Sequence, residues 1–170
     1  MSGALADGLI AVAKARGAAT PGIAALLRLR YLAQAIGEAS GPIQQRHGVD
    51  GGGLDVLVAL HITPTPHQLR PTTLYRMLGI SSGGLTGRLD RLERMELIRR
   101  TADGADRRGS WITLTAKGEA LSDRALDEVL ALQARVAEAL TEREQWVLDT
   151  LLRKLDAGLG SALAVARAEP

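Results

Sequence analysis

The stretch Gly79-Ile-Ser-Ser-Gly-Gly-Leu-Thr-Gly-Arg-Leu-Asp-Arg-Leu-Glu93 places leucines at 85, 89 and 92. Positions i, i+4 and i+7 fall within ~60° of arc on a helical wheel, so the spacing predicts an amphipathic helix from Ser81 through Met95. The opposite side carries Gly83, Gly87, Asp90, Arg91 and Arg94, with Thr86 on the flank. Ser81 suits an N-cap. Ser82, Gly83 and Gly84 then complete a first turn too rich in glycine and serine for a buried structural helix. Such a turn suits a helix end whose free N–H groups meet anionic oxygen at close range. Ser81 serves equally well as a plain cap, and one role does not preclude the other.

Outward from this helix, Thr72–Leu78 predicts a short helix before it, with Gly79 placed where a turn between helices needs positive φ. After it, 98–102 and 110–114 predict two short strands around the turn-rich Asp103-Gly104-Ala105, with Ile112 and Leu114 on one face. The loop also holds Asp106-Arg107-Arg108. The order helix, turn, helix, ribbon over residues 72–118 matches the shape of duplex DNA. The second helix fits the major groove, and an arginine at the ribbon tip fits the minor groove. Asp106, two residues before Arg108, is placed to hold its guanidinium. A solvated face is the alternative for Arg88, Arg91 and Arg94, paired with Asp90, Glu93 and Glu96. Arg94 reads as a surface charge, and Asp90 as a carboxylate that orients a neighbouring arginine.

Charge follows the same division. Residues 67–118 hold ten Lys and Arg against five Asp and Glu, whereas the whole chain carries a net charge of only +2. The positive charge is concentrated on the segment expected to meet phosphate.

The flanks are helical. Residues 1–22 form an Ala- and Gly-rich arm, either flexible or helical, followed by an apolar-periodic helix from Ile23 to Ile43. Gly48 to Gly53 reads as a loop, Leu54 to Ile62 as a short helix, and Thr63-Pro64-Thr65-Pro66 as a turn. Thr115 caps a long helix running to about Leu140. It has one apolar stripe at Leu121, Ala125, Val129, Leu132, Val136 and Leu140, and a second at Leu126, Leu130, Ala134 and Ala137. A helix of ~25 residues is ~38 Å long, more than one small domain covers, and two stripes on it predict burial against another chain. Thr141-Glu142-Arg143-Glu144 has capping-box spacing and opens a last helix. The domain organisation expected is therefore an arm at 1–22 and a dimerisation helix at 23–47. A winged unit follows at 54–118, then C-terminal dimerisation helices at 116–165.

Composition narrows function by exclusion. With no Cys, disulfides and thiolate metal sites are ruled out. The three histidines lie in separate segments, with no His-x-x-x-His pair and no Gly-rich phosphate loop, so neither an enzyme nor a metal or other cofactor is expected. No basic, uninterrupted apolar leader and no run of ~20 apolar residues is present, and a soluble cytoplasmic protein that leaves membranes alone is expected.

The quoted stretch, with Leu97-Ile-Arg-Arg100, Asp106-Arg-Arg108 and Leu114-Thr-Ala-Lys-Gly118, resembles the MarR family of bacterial winged helix-turn-helix regulators. The likeness is strong over 54–120 and architectural elsewhere. It implies a mainly α fold with a small β-ribbon, in which N- and C-terminal helices interlock into a homodimer. The partner implied is a pseudo-palindromic double-stranded DNA operator, with transcriptional repression relieved by a small-molecule effector. The DNA-binding residues would be Ser81, Ser82, Gly83, Gly84, Thr86, Arg88, Arg91, Arg107 and Arg108, with Asp106 supporting the wing. Gly87 leaves the middle of the reading face bare and shifts readout toward Thr86, Ser82 and Arg88. An effector pocket would draw on Tyr31, His47, His61 and Trp111. The competing expectation is a winged-helix protein-interaction module that has lost DNA binding, or that has no ligand.

Overall fold

The computed structural model describes residues 2–18, 20–102 and 110–168, with side chains described for 4–18, 20–102 and 110–159. The element order is α1 (Ser2–Ala15), α2 (Pro21–Ala39), α3 (Gly41–His47), α4 (Gly51–His61), β1 (Gln68–Leu69), α5 (Pro71–Met77), α6 (Ser82–Arg94), β2 (Ile98–Ala102), β3 (Ser110–Leu114), α7 (Ala116–Ala137) and α8 (Glu142–Ala168). The chain divides into two compact units, residues 1–130 and 131–170. The mainly helical fold with a small antiparallel sheet is the one expected.

Three details differ from the sequence reading. The helix expected over 23–43 is two helices. Pro42 sits in the first turn of α3, where its missing N–H is harmless, and Ser40 ends α2 with its N–H and hydroxyl turned back onto Ile36. The glycines expected as loop lie inside α4. Asp50 caps this helix, its carboxylate accepting from Gly53 N at 2.8 Å, so the helix begins three residues earlier than its apolar pattern. The two-stranded ribbon is a three-stranded sheet in the order β1-β3-β2.

In that sheet β1 pairs Gln68 with Thr113 and Leu69 with Ile112, and β2 pairs Ile98 with Leu114 through Ala102 with Ser110. β3 is therefore central. Ile112, Thr113 and Leu114 are all buried, so alternating side chains on both faces of β3 are covered.

One core organises the first unit. Val56, Leu57 and Leu60 of α4 meet Leu74 of α5, Leu85, Leu89 and Leu92 of α6, Ile98 and Ile112 of the sheet, and Ala125 of α7. Burial of each such leucine or isoleucine contributes about 1.5–3 kcal/mol. The α5–α6 turn runs through Gly79 at φ +63°, a conformation only glycine adopts without strain.

The end of α6 is bonded tightly to the start of α7. Glu96, at φ +59°, turns the chain, and the Thr115 hydroxyl donates to Glu96 O at 2.7 Å. Lys117 Nζ donates to Met95 O at 2.8 Å, and Gly118 N donates to Thr115 Oγ1 at 3.0 Å. A Cβ on Gly118 would overlap the Leu97 carbonyl, so the approach requires glycine. Thr115 caps α7 as its sequence predicts. Thr141 and Glu144 likewise close a reciprocal capping box on α8, through Thr141 N to Glu144 Oε2 at 2.8 Å and Glu144 N to Thr141 Oγ1 at 3.4 Å.

Outside the core, apolar residues stand in solvent. On α7, Leu130 and Val136 are exposed, and along α8 Trp146, Val147, Leu148, Leu151, Leu155 and Leu159 are exposed, Trp146 by 67% and Leu151 by 53%. On α1, Ala6 and Ile10 are buried, and α1 also joins α2 through an Arg28–Asp7 ion pair of 2.7 Å. No helix of the described residues is long and apolar enough to cross a membrane.

Candidate nucleic-acid interface

α6 is fixed on one side and free on the other. Leu85, Leu89 and Leu92 are buried in the core, which turns Gly83, Thr86, Gly87, Asp90, Arg91 and Arg94 to solvent. Ser81 Oγ accepts from Gly84 N at 3.2 Å and so satisfies one of the free N–H groups of the first turn. Ser82 is exposed, and its carbonyl accepts the Thr86 hydroxyl at 3.0 Å. A Cβ added at Gly83 or Gly87 would meet nothing within 4 Å, so the bare strip on α6 is not demanded by packing within the chain. Glycines kept where nothing crowds them leave backbone within reach of an outside molecule.

Among the described residues no ion pair joins two charged side chains of α6, whereas the solvated-face alternative has them paired. Arg91 forms an ion pair with Asp50, the cap of α4. Arg88 is half-buried against α4, with Nη1 donating to Gly52 O at 3.4 Å. Beside it, Asp55 is pushed above the ordinary aspartate range, chiefly by desolvation, with the Arg88 charge opposing and the Asp50 charge adding. Arg94 Nε donates to Asp90 O at 3.3 Å.

Asp90 does orient an arginine, but one from the sheet. Arg100 Nη2 lies 2.6 Å from Asp90 Oδ1, and its Nη1 lies 3.3 Å from Glu93 Oε2. Arg100 N also donates to Glu93 Oε1 at 3.2 Å. Arg100 therefore ties β2 to the solvent edge of α6. Neither the Arg100–Asp90 nor the Asp50–Arg91 pair is legible in the sequence, because the partners lie ten and forty-one positions apart. Asp106, Arg107 and Arg108 lie outside the described residues.

The four side chains expected at an effector pocket take separate partners. Tyr31 is buried with Arg30 over its ring at 5.2 Å. His47 Nε2 is 3.0 Å from Glu128 Oε1, and Arg46 pairs with the same carboxylate, whose pKa these two hydrogen bonds hold below the ordinary glutamate range. His61 stacks on His67 with ring centroids 5.7 Å apart, and its Nδ1 lies 3.1 Å from Ser122 Oγ. Trp111 lies under Arg70, 5.0 Å from its ring centroid. A surface cavity of about 420 Å³ between α5, α6 and the sheet is lined by Tyr75, Ser82, Thr86 and Arg100 among others, and takes none of those four. Among the described residues no three His, Asp or Glu converge as metal ligands.

A helix pair joined by a positive-φ glycine, with an unobstructed second helix beside a three-stranded sheet, defines a winged helix-turn-helix. The comparisons agree. The MarR family model matches residues 47–109. Over 102 residues the chain is 32% identical to the transcriptional regulator PecS of Dickeya dadantii, a match covering 60% of this chain but only 61% of that regulator. An HTH-type transcriptional regulator of Bacillus cereus is 31% identical over 130 residues, covering 76% of this chain and 84% of the relative. Among solved structures, Sco3205, a MarR family transcriptional regulator from Streptomyces coelicolor in complex with DNA, is similar with a TM-score of 0.72 at 25% identity, covering 83% of this chain and 90% of that one. The chain belongs to the MarR family of transcriptional regulators.

Proposed function

We propose that this protein binds a pseudo-palindromic DNA operator as a homodimer and represses transcription until a small-molecule effector releases it. The observation that carries the reading is α6: three leucines hold it to the core, and its glycine- and serine-rich first turn faces outward with space around it. In this reading Ser81, Ser82 and Gly83 offer backbone N–H groups and hydroxyls to phosphate, and Gly84, its N–H held by Ser81 Oγ, keeps the approach open. Thr86 is the side chain aimed at base edges, and Arg107 and Arg108 reach the adjacent minor groove. A relative whose structure holds DNA supports the same use of the fold.

The exposed apolar faces of α7 and α8 support the homodimer, since contiguous apolar surface of this kind marks an interaction site. A two-fold axis through such a dimer sets the two α6 helices one turn of DNA apart, ~34 Å. An effector acts by changing that spacing.

Salt titration of binding to duplex DNA tests the reading. Affinity falls steeply as salt rises, because phosphate contacts release counterions. Failure to bind any duplex at low salt sinks it and leaves the protein-interaction alternative. Arg108→Ala lowers DNA affinity by more than about tenfold with the dimer intact, as expected for loss of an arginine in a narrow minor groove. Unchanged affinity removes the wing from the account.

A further inference from the structure

The first turn of α4, Asp50-Gly51-Gly52-Gly53, receives two arginines of α6, and receives them differently. Arg88 is packed: a Cβ at Gly52 would come within 2.5 Å of Arg88 Cζ, and Arg88 Nη1 donates to Gly52 O. Arg91 is exposed, its guanidinium donating a charge-assisted hydrogen bond to Asp50 Oδ2. Asp50 meanwhile uses its other oxygen, Oδ1, to cap α4 through Gly53 N.

We propose that Asp50 is a built-in competitor for DNA phosphate. In the free protein it occupies Arg91, and binding passes the guanidinium from the Asp50 carboxylate to a phosphate oxygen. The inference rests on α6 being the DNA-facing helix, and it makes Arg88 a strut that positions α6 while Arg91 is the movable contact.

Three observations support the division. Capping needs no charge, since Ser and Asn cap as well as Asp, so the carboxylate supplies something beyond the cap. Carboxylate and phosphate present the same paired oxygens to a guanidinium, so one can replace the other without moving the backbone. The Asp50–Arg91 pair is about half exposed on both sides, which makes it weak and salt-screened and open to displacement. The cost of displacement is the same for every DNA sequence. Asp50 therefore lowers affinity for every sequence alike and leaves discrimination to base contacts.

Asp50→Ser keeps a capping oxygen and removes the charge, and Asp50→Asn is a second variant that keeps the geometry more closely. Binding of the full chain to a random-sequence duplex is measured by fluorescence anisotropy across a salt series, with thermal melting to confirm folding. Both variants gain about threefold to tenfold in affinity at low salt. Their salt dependence steepens toward one further counterion released per protomer. In an Arg91→Ala background the gain disappears.

A gain that persists without Arg91 overturns the proposal, since it reports general repulsion between Asp50 and DNA. No gain, or weaker binding, overturns it as well, because Asp50 then positions Arg91 for DNA. Absence of wild-type binding at low salt overturns the DNA-binding reading itself, whereas wild-type binding indifferent to Asp50 overturns only this inference.

Discussion

Leu92 and Leu151 are the same residue, each in a long amphipathic helix, yet Leu92 is fully buried and Leu151 is half exposed. Leu92 belongs to a core that closes within the chain, with α4, α5, α6 and the sheet each contributing a face. Leu151 belongs to a row of exposed apolar residues on α8 that runs from Trp146 to Leu159. The first region is a finished domain; the second, in the proposed homodimer, is half an interface. An apolar pattern thus announces burial without saying in which molecule, and the number of other elements that share the pattern decides between the two.

The largest way to test this contrast is to empty the core. Leu92→Ala removes a fully buried side chain and costs about 2–5 kcal/mol of stability, measured by urea unfolding. A cost well under 1 kcal/mol breaks the claim that the first region closes by itself. The matching change on α8, Leu151→Asp, leaves the circular dichroism of the helices near wild type but gives a monomer by light scattering. A persistent dimer places the seam elsewhere.

A smaller effect comes from Glu128, which accepts hydrogen bonds from Arg46 and His47 and so joins α3 to α7. Its folded pKa is depressed, so its contribution to stability is present above the ordinary glutamate value of about 4.3 and is lost as pH falls through the depressed value. Glu128→Gln therefore lowers stability in the neutral region, where the ionised carboxylate contributes, leaves stability below the depressed pKa little changed, and so flattens the acid limb of the stability–pH curve. An unchanged acid limb shows that the pair contributes nothing to holding α3.

Much of the first region is legible in the sequence because its signals are local. Leu85, Leu89 and Leu92 share a face, Ser81 and Thr115 cap, and Gly79 turns, so α5, α6, β2 and β3 fall where spacing puts them. What is not legible depends mostly on partners distant in sequence, the exception being the Asp50 cap, a local signal three residues before Gly53 that the glycine run hides. The glycines before Leu54 look like loop, yet Asp50 caps them into a helix, and their small size admits Val49 and Leu92 beside Gly53 and Arg88 beside Gly52. β1 is two residues long and exists only through its pairing with Thr113 and Ile112, more than forty positions away. The site divides along the same line. The bare face of α6 follows from its wheel, whereas the bonds from Asp50 to Arg91 and from Arg100 to Asp90 and Glu93 follow from the fold.

The junction between α6 and α7 has a mechanical consequence. Thr115, Lys117 and Gly118 grip the backbone at 95–97 with no room for a side chain at Gly118, so the two helices are coupled by close backbone contact as well as by the chain. A displacement of the first turn of α7 is passed to the C-terminal end of α6 through these bonds. Any bending that reorients α6 must then be sought further along α7, and lengthening the 95–97 turn by one residue uncouples the two helices.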